Sequence, residues 1–120
     1  MENDRDLSNY VLDLDSTLLD AAQVIERNHS RCAVVVTEGK VIGVIAEGDL
    51  LRATLQGSTI YANVKKFVKL DFKYLKSRDE EAALSLFKAY GFTLIPVLDD
   101  DFHLIDVIPI SDILDKARLI

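Results

Sequence analysis

The chain has 120 residues, of which 49% are apolar, enough for one core-bearing domain or two very small halves that share a core. Asp and Glu outnumber Lys and Arg by 20 to 14, and the net charge of −6 excludes nucleic acid as a general partner. Cys32 has no partner within its own chain and lies in an apolar run, so a disulfide framework is excluded and a buried, unreactive thiol in a reducing compartment is expected.

The N-terminal MENDRDLSNY has no basic stretch followed by an apolar one, and no run approaches the roughly 18 apolar residues that span a bilayer. A cytoplasmic protein without membrane or nucleic-acid partners is the expectation. Tyr10 to Leu14 reads as a short strand. Asp15-Ser16-Thr17 is a helix entry, with a hydroxyl of Ser16 or Thr17 as cap and Asp20 in the first turn. Ala21, Ala22, Val24 and Ile25 then supply an apolar stripe at helical spacing.

Ala33 to Val36 is a β-branched run typical of a strand buried on both faces. Glu38-Gly39-Lys40 is a turn, Val41 to Ile45 a further strand, and Gly48-Asp49 the start of a helix through Leu50, Leu51 and Leu55 that Gly57 stops. Between Ser58 and Arg78, Lys65, Lys66, Lys69, Lys73, Lys76 and Arg78 gather against one acid, Asp71. The interleaved Val64, Phe67, Val68 and Leu70 make this a crossover packed on the core with its lysines in water. Phe72 to Leu75 reads as a strand, and Ala82, Ala83, Leu86, Phe87 and Tyr90 as one helix face ended by Gly91. Phe92 to Leu98 and His103 to Ile108 are strands around an Asp99-Asp100-Asp101 turn. Ser111-Asp112 opens a last helix with Ile113, Leu114 and Ala117 facing inward.

The chain repeats itself. DAAQVIERNHSRCAVVVTE (20–38) lies over EAALSLFKAYGFTLIPVLD (81–99) at an offset of 61, and GVIAEGDLL (43–51) lies over DVIPISDIL (106–114) at 63. Each half reads β-α-β-β-α. With STLLDAA at the first helix entry, LIPVLD at 94–99 and GVIAEGDLL, the chain from about Leu7 to Arg118 resembles a tandem pair of CBS domains, a Bateman module.

That resemblance implies an α/β (α+β) fold of two units packed with pseudo-two-fold symmetry: 7–57, a crossover at 58–71, and 72–118. It also implies a non-catalytic regulatory module that needs no cofactor. Such a module binds an adenosine-containing ligand (AMP, ADP, ATP or S-adenosylmethionine) between the halves, forms homodimers through its helices, and regulates a partner or fused enzyme. The segment GDLLRATLQGSTIYANVKKFV is similar to CBS pairs that precede sugar-phosphate nucleotidyltransferase domains. In the family pattern a carboxylate at the start of each last helix accepts both ribose hydroxyls, and Asp49 and Asp112 match it. The hydroxyl position that serves phosphate is Ala46 in one half and Pro109 in the other, and neither side chain donates. Arg52, one turn after Asp49, and Ser111 complete the candidate residues. In the second half Asp106 replaces the glycine of the pattern.

Two other readings remain. A dimerisation or protein-interaction domain that binds no ligand is consistent with Ala46, Pro109 and Asp106. The stretch VLDLDSTLLD (11–20) resembles the first motif of haloacid dehalogenase-like phosphatases, with Asp13 as nucleophile, Asp15 handling a proton, and Thr37, Lys88 and Asp99 with Asp100 as remaining candidates. Against the phosphatase, only Tyr10, Val11 and Leu12 precede Asp13 as strand, and a doubly wound sheet needs more chain. His29 and His103 have no metal-ligand spacing and read as surface residues.

Overall fold

A computed structural model describes residues 5–117, with side chains through Asp115; Arg118, at the end of the second expected unit, lies outside the described residues. A short 3₁₀ turn (Leu7–Tyr10), capped by Asp6, leads into β1 (Val11–Asp13). Helix α1 (Leu18–Asn28) opens with a reciprocal cap: the Asp20 amide donates to Thr17 Oγ1 (3.2 Å) and the Thr17 amide to Asp20 Oδ2 (3.0 Å). Thr17 is thus the cap that the Ser16-Thr17 pair had left open. Strands β2 (Cys32–Thr37) and β3 (Lys40–Ala46) follow, then α2 (Glu47–Leu55). After the crossover come α3 (Glu80–Tyr90), β4 (Leu94–Leu98), β5 (Leu104–Pro109) and α4 (Ile110–Ala117). Gly91 ends α3 at φ 69°, a left-handed conformation that glycine adopts without Cβ cost.

In the first half β1 runs parallel to β2, and β2 antiparallel to β3. In the second half β4 and β5 form an antiparallel pair, and the strand expected at Phe72 to Leu75 is reduced to one parallel bridge, Leu75 to Val97. Both backbone bonds of that bridge are present, from Leu75 N–H to the Pro96 carbonyl (3.0 Å) and from Leu98 N–H to the Leu75 carbonyl (2.8 Å). Pro96 has no amide to donate, which limits how far pairing can spread along β4.

The unbroken apolar strands explain how two small halves share a core. Along β2, side chains alternate between faces: Ala33 and Val35 join Leu12, Leu18, Ala21, Ile25 and Ile45 in a first-half cluster, whereas Cys32 and Val34 face the other way. There they meet Leu94, Leu98 and Val107 with Tyr10 and Val41, a layer made by both halves. Ile95, Val97 and Ile108 pack with Ala83 and Phe87 in the second-half cluster. Both helix-facing layers and the shared layer are needed, so neither half buries its second strand alone.

Several expected positions differ. Tyr90 and Leu114, read as inward, are exposed; Tyr90 stacks on Phe92 at a ring separation of 5.1 Å. Both last helices start earlier than read, at Glu47 and Ile110, so Asp49 and Asp112 are third residues of their helices and not caps. The crossover is not uniformly solvated. Val64 is fully buried, Lys69 pairs with β3, and Arg78 is held in an ion-pair network. The first and last of the remaining lysines behave as read: Lys65 meets Asp15 and Lys76 meets Asp100 as exposed pairs.

Candidate functional site between the halves

A cleft of about 840 Å³ opens between the halves. The first half contributes Arg31, Cys32, Val44, Ala46, Glu47 and Gly48; the crossover contributes Lys69, Asp71, Phe72 and Lys73; the second half contributes Tyr90 to Leu94 and Pro96. Its walls are apolar where Cys32, Val44, Phe72, Phe92, Leu94 and Pro96 face it, and Arg31, Lys69 and Lys73 bring cations to it against Glu47 and Asp71.

Local geometry fixes this frame. Arg31 sits in the left-handed region at φ 63°, and its carbonyl accepts the first amide of α2, from Glu47 (2.9 Å). The second half repeats the bond, Ile110 N–H to the Thr93 carbonyl (2.9 Å). Thr93 also donates its hydroxyl to the Ser30 carbonyl (2.6 Å), tying the two walls together. The crossover reaches the cleft because Lys69 exchanges both backbone hydrogen bonds with Val44 (2.8 and 3.1 Å). Gly43 makes that approach available: a Cβ there would lie 2.4 Å from the Lys69 carbonyl oxygen.

Cys32 is buried in the cleft wall. Burial first, and then the nearby Asp49 charge, push its thiol up to about 12 against the opposing effect of Lys69. The thiol is therefore neutral and poorly nucleophilic at ordinary pH, as the sequence suggested.

Of the candidate residues, Ala46 lines this cleft, and Asp49 and Arg52 line a smaller adjoining cavity. Asp49 is almost fully buried; its Oδ2 accepts the Ala46 amide (2.8 Å) and its Oδ1 meets Arg52 and, at 3.7 Å, the Lys69 ammonium. Pro109, Ser111 and Asp112 line neither cavity. Asp112 is gripped by two guanidiniums instead: Arg5 Nη2 donates to both carboxylate oxygens (2.9 and 3.0 Å), and Arg78 Nη2 donates to Oδ2 (2.6 Å). Arg78 also donates to Asp106 Oδ2 (3.1 Å) and to the Val107 carbonyl (3.0 Å), which Arg5 Nη1 shares (3.0 Å). Burial opposes the Arg78 cation, but the hydrogen bonds to Asp112 and Asp106 outweigh it and raise the guanidinium above its ordinary range.

The repeat makes these arrangements comparable. Val44 and Val107 are equivalent, as are Asp49 and Asp112, so Lys69 of the crossover and Arg5 of the N-terminal segment approach corresponding points of the two halves. Neither cation was singled out by the sequence reading. Lys69 stood only among the crossover lysines, and no local signal marks it or Arg5 as the cation that reaches its carboxylate.

The CBS domain model matches residues 5–56 and 79–118, well over half of the chain. The chain belongs to the CBS domain family. It is 26% identical over 106 residues to an uncharacterized 17.7 kDa protein of Acidianus ambivalens, a match covering 87% of this chain and 64% of that protein. The chain thus spans less than two thirds of that relative's length. Among solved structures, a CBS domain protein from Pyrobaculum aerophilum complexed with AMP superposes with a TM-score of 0.74 at 19% identity, covering 90% of each chain. A CBS domain pair in complex with 5-methylthioadenosine and S-adenosyl-L-methionine superposes with a TM-score of 0.77 at 16% identity, covering 90% of this chain and 86% of that one. At these identities the likeness establishes the CBS-pair fold.

The family also accounts for VLDLDSTLLD. Asp13 ends β1 exposed, with its Oδ1 taken by the Asp15 amide (2.9 Å), and Asp15 pairs with Lys65 (3.2 Å). Lys88 is exposed on α3, and Asp99 binds the Asp101 and His103 amides (2.9 and 2.8 Å) to close its own turn. The four carboxylates of the phosphatase motif, Asp13, Asp15, Asp99 and Asp100, are thus held in local turns or surface pairs of the CBS fold. Among the described residues, no helix is long and apolar enough to cross a membrane.

Proposed function

We propose that this CBS pair is a regulatory module that binds an adenosine-containing ligand in the cleft between its halves and passes the occupancy to a partner. The cleft carries the reading. At about 840 Å³ it has the size and mixed lining of a small-molecule site, with apolar residues on which a purine would pack and charged groups among them. Solved CBS proteins that hold AMP, or 5-methylthioadenosine with S-adenosylmethionine, support an adenosine compound as the class. The ribose would lie at the junction with the smaller cavity, where Asp49 Oδ2 keeps a lone pair beyond the Ala46 amide. A ligand touching the crossover and both halves favours one arrangement of the halves over others, and that population shift is the signal.

Isothermal titration with AMP, ADP, ATP and S-adenosylmethionine tests the proposal. Saturable binding that weakens at least tenfold in Asp49→Ala is expected; binding unchanged in that variant removes Asp49 from the site. Heat from none of the four compounds, with an unmoved melting temperature, would leave the interaction domain as the reading. That second reading draws on the Asp112 network, in which the chain's own arginines take the carboxylate. Association between copies would use α2 and α4, where Leu51, Leu55 and Leu114 are exposed, because Ala21 and Ala83 are consumed by their own cores.

A further inference from the structure

We infer that Arg5 is a gate: its guanidinium occupies the ligand position of the second half, and its release opens a second binding site at Asp112. The cause lies at the start of α4. In the first half the Ala46 amide donates to Asp49 Oδ2 (2.8 Å), but the residue that pairs with Leu94 as Ala46 pairs with Cys32 is Pro109, which has no N–H. Asp112 therefore lacks the backbone donor that holds Asp49. Arg5 takes its place: Nη2 donates to Oδ1 (2.9 Å) and to Oδ2 (3.0 Å), and Nη1 reaches the Val107 carbonyl (3.0 Å). Both acceptors that a ligand's hydroxyls would need are thereby engaged in charge-assisted bonds, so any ligand that uses Asp112 has to displace Arg5.

The two halves fasten their incoming segments differently. The crossover is fixed to β3 by backbone bonds in both directions between Lys69 and Val44 (2.8 and 3.1 Å). Val107, the counterpart of Val44, has its amide taken by Asp106 Oδ1 (2.8 Å), and among the described residues the backbone of Arg5 and Asp6 makes no hydrogen bond to β5. The segment ahead of Leu7 is thus tied to the second half by the Arg5 side chain, which also lies over the Tyr10 ring at 6.0 Å. Leu7 and Tyr10 pack in the shared layer, so Arg5 can swing away with no ladder bond broken and no core residue moved. Arg78 then keeps Asp112 Oδ2 (2.6 Å) and the Val107 carbonyl (3.0 Å), and Asp112 Oδ1 becomes free.

The ligand class rests on the adenosine reading; the gate is tested apart from the first cleft. The experiment is isothermal titration of the full chain with AMP, for the wild type, Arg5→Ala, Arg5→Lys and the Arg5→Ala/Asp112→Asn double variant. One AMP per chain is expected for the wild type and two for Arg5→Ala. The second should bind at least about tenfold more tightly than any second event in the wild type, because a closed gate weakens apparent affinity by the fraction of molecules that are open. The double variant should return to one. If Arg5→Ala loses its cooperative melting transition, Arg5→Lys decides: an ammonium keeps the charge at Asp112 without the guanidinium's second arm to Val107, and a second event of intermediate strength is expected. One site in every folded Arg5 variant, or a second event that survives Asp112→Asn, would overturn the gate while leaving the adenosine site of the first cleft in place. No binding by the wild type, with one Asp112-dependent site in Arg5→Ala, would uphold the gate and remove the first-cleft reading. No binding by any of the four proteins overturns both.

Discussion

The two halves present equivalent carboxylates in opposite company. Asp49 is buried, but the cations that face it stand in solvent: the side chains of Arg52 and Lys69 are 55% and 54% exposed. Asp112 is less buried, yet its partners Arg5 and Arg78 are only 22% and 19% exposed and arrive from segments 107 and 34 residues away. The position that must be Gly43 in one half, so that the crossover can pass, is Asp106 in the other, where it fastens Arg78. A duplicated fold has thus kept one cleft available and spent the corresponding groups of the other on holding the chain together.

The largest effect should come from breaking that second network. Arg78→Ala leaves Asp106 without its arginine and Asp112 facing Arg5 alone and should cost about 2–3 kcal/mol, whereas Arg52→Ala in the first half should cost less than about 1 kcal/mol, because the Arg52 side chain is largely in water and the Ala46 amide and Lys69 remain on Asp49. Urea denaturation of the two variants reads the contrast, and equal losses would mean the halves are not different in this way. Gly43→Ala should come next, at about 1–3 kcal/mol, by forcing the Lys69 carbonyl off β3 and loosening the cleft wall. The equivalent Asp106→Ala should leave the crossover in place and act through Arg78. Hydrogen exchange at the Lys69 amide distinguishes the two, with faster exchange expected in Gly43→Ala only.

How much of this was legible in the sequence follows the range of the interactions. The repeat, its order of elements and a hydroxyl cap at Ser16 or Thr17 are local patterns that spacing shows, but the register was one residue out: α1 (Leu18–Asn28) lies over α3 (Glu80–Tyr90) and Cys32 over Leu94 at an offset of 62, not 61. The family pattern led to Ala46, whose place in the cleft wall follows from the end of β3. What escaped were contacts between segments far apart: Arg5 and Arg78 on Asp112, and Lys69 on Val44 and Asp49. No local pattern distinguishes a lysine that pairs across the fold from one in water. Tyr90 and Leu114 were misread for the related reason that helical periodicity shows a stripe but not where its covering layer ends.

Smaller effects sharpen the comparison. Thr17→Ala should cost about 1 kcal/mol by removing the reciprocal cap of α1. At Cys32, the native protein should resist iodoacetamide at pH 8 and react on unfolding. Because the folded pKa, about 12, lies above the ordinary value of 9.0, burial of the neutral thiol contributes fully below pH 9 and is lost as pH rises from 9 toward 12. Fast labelling of the native protein at pH 8 would show that the cleft wall at Cys32 opens readily.

The most direct test of the central claim is the stoichiometry of nucleotide binding by isothermal titration at low salt. One ATP per chain, lost or much weakened in Asp49→Ala and retained in Asp112→Ala wherever that variant stays folded, is the predicted result. Two equivalent sites per chain, or a single site that depends on Asp112 and not on Asp49, would contradict it.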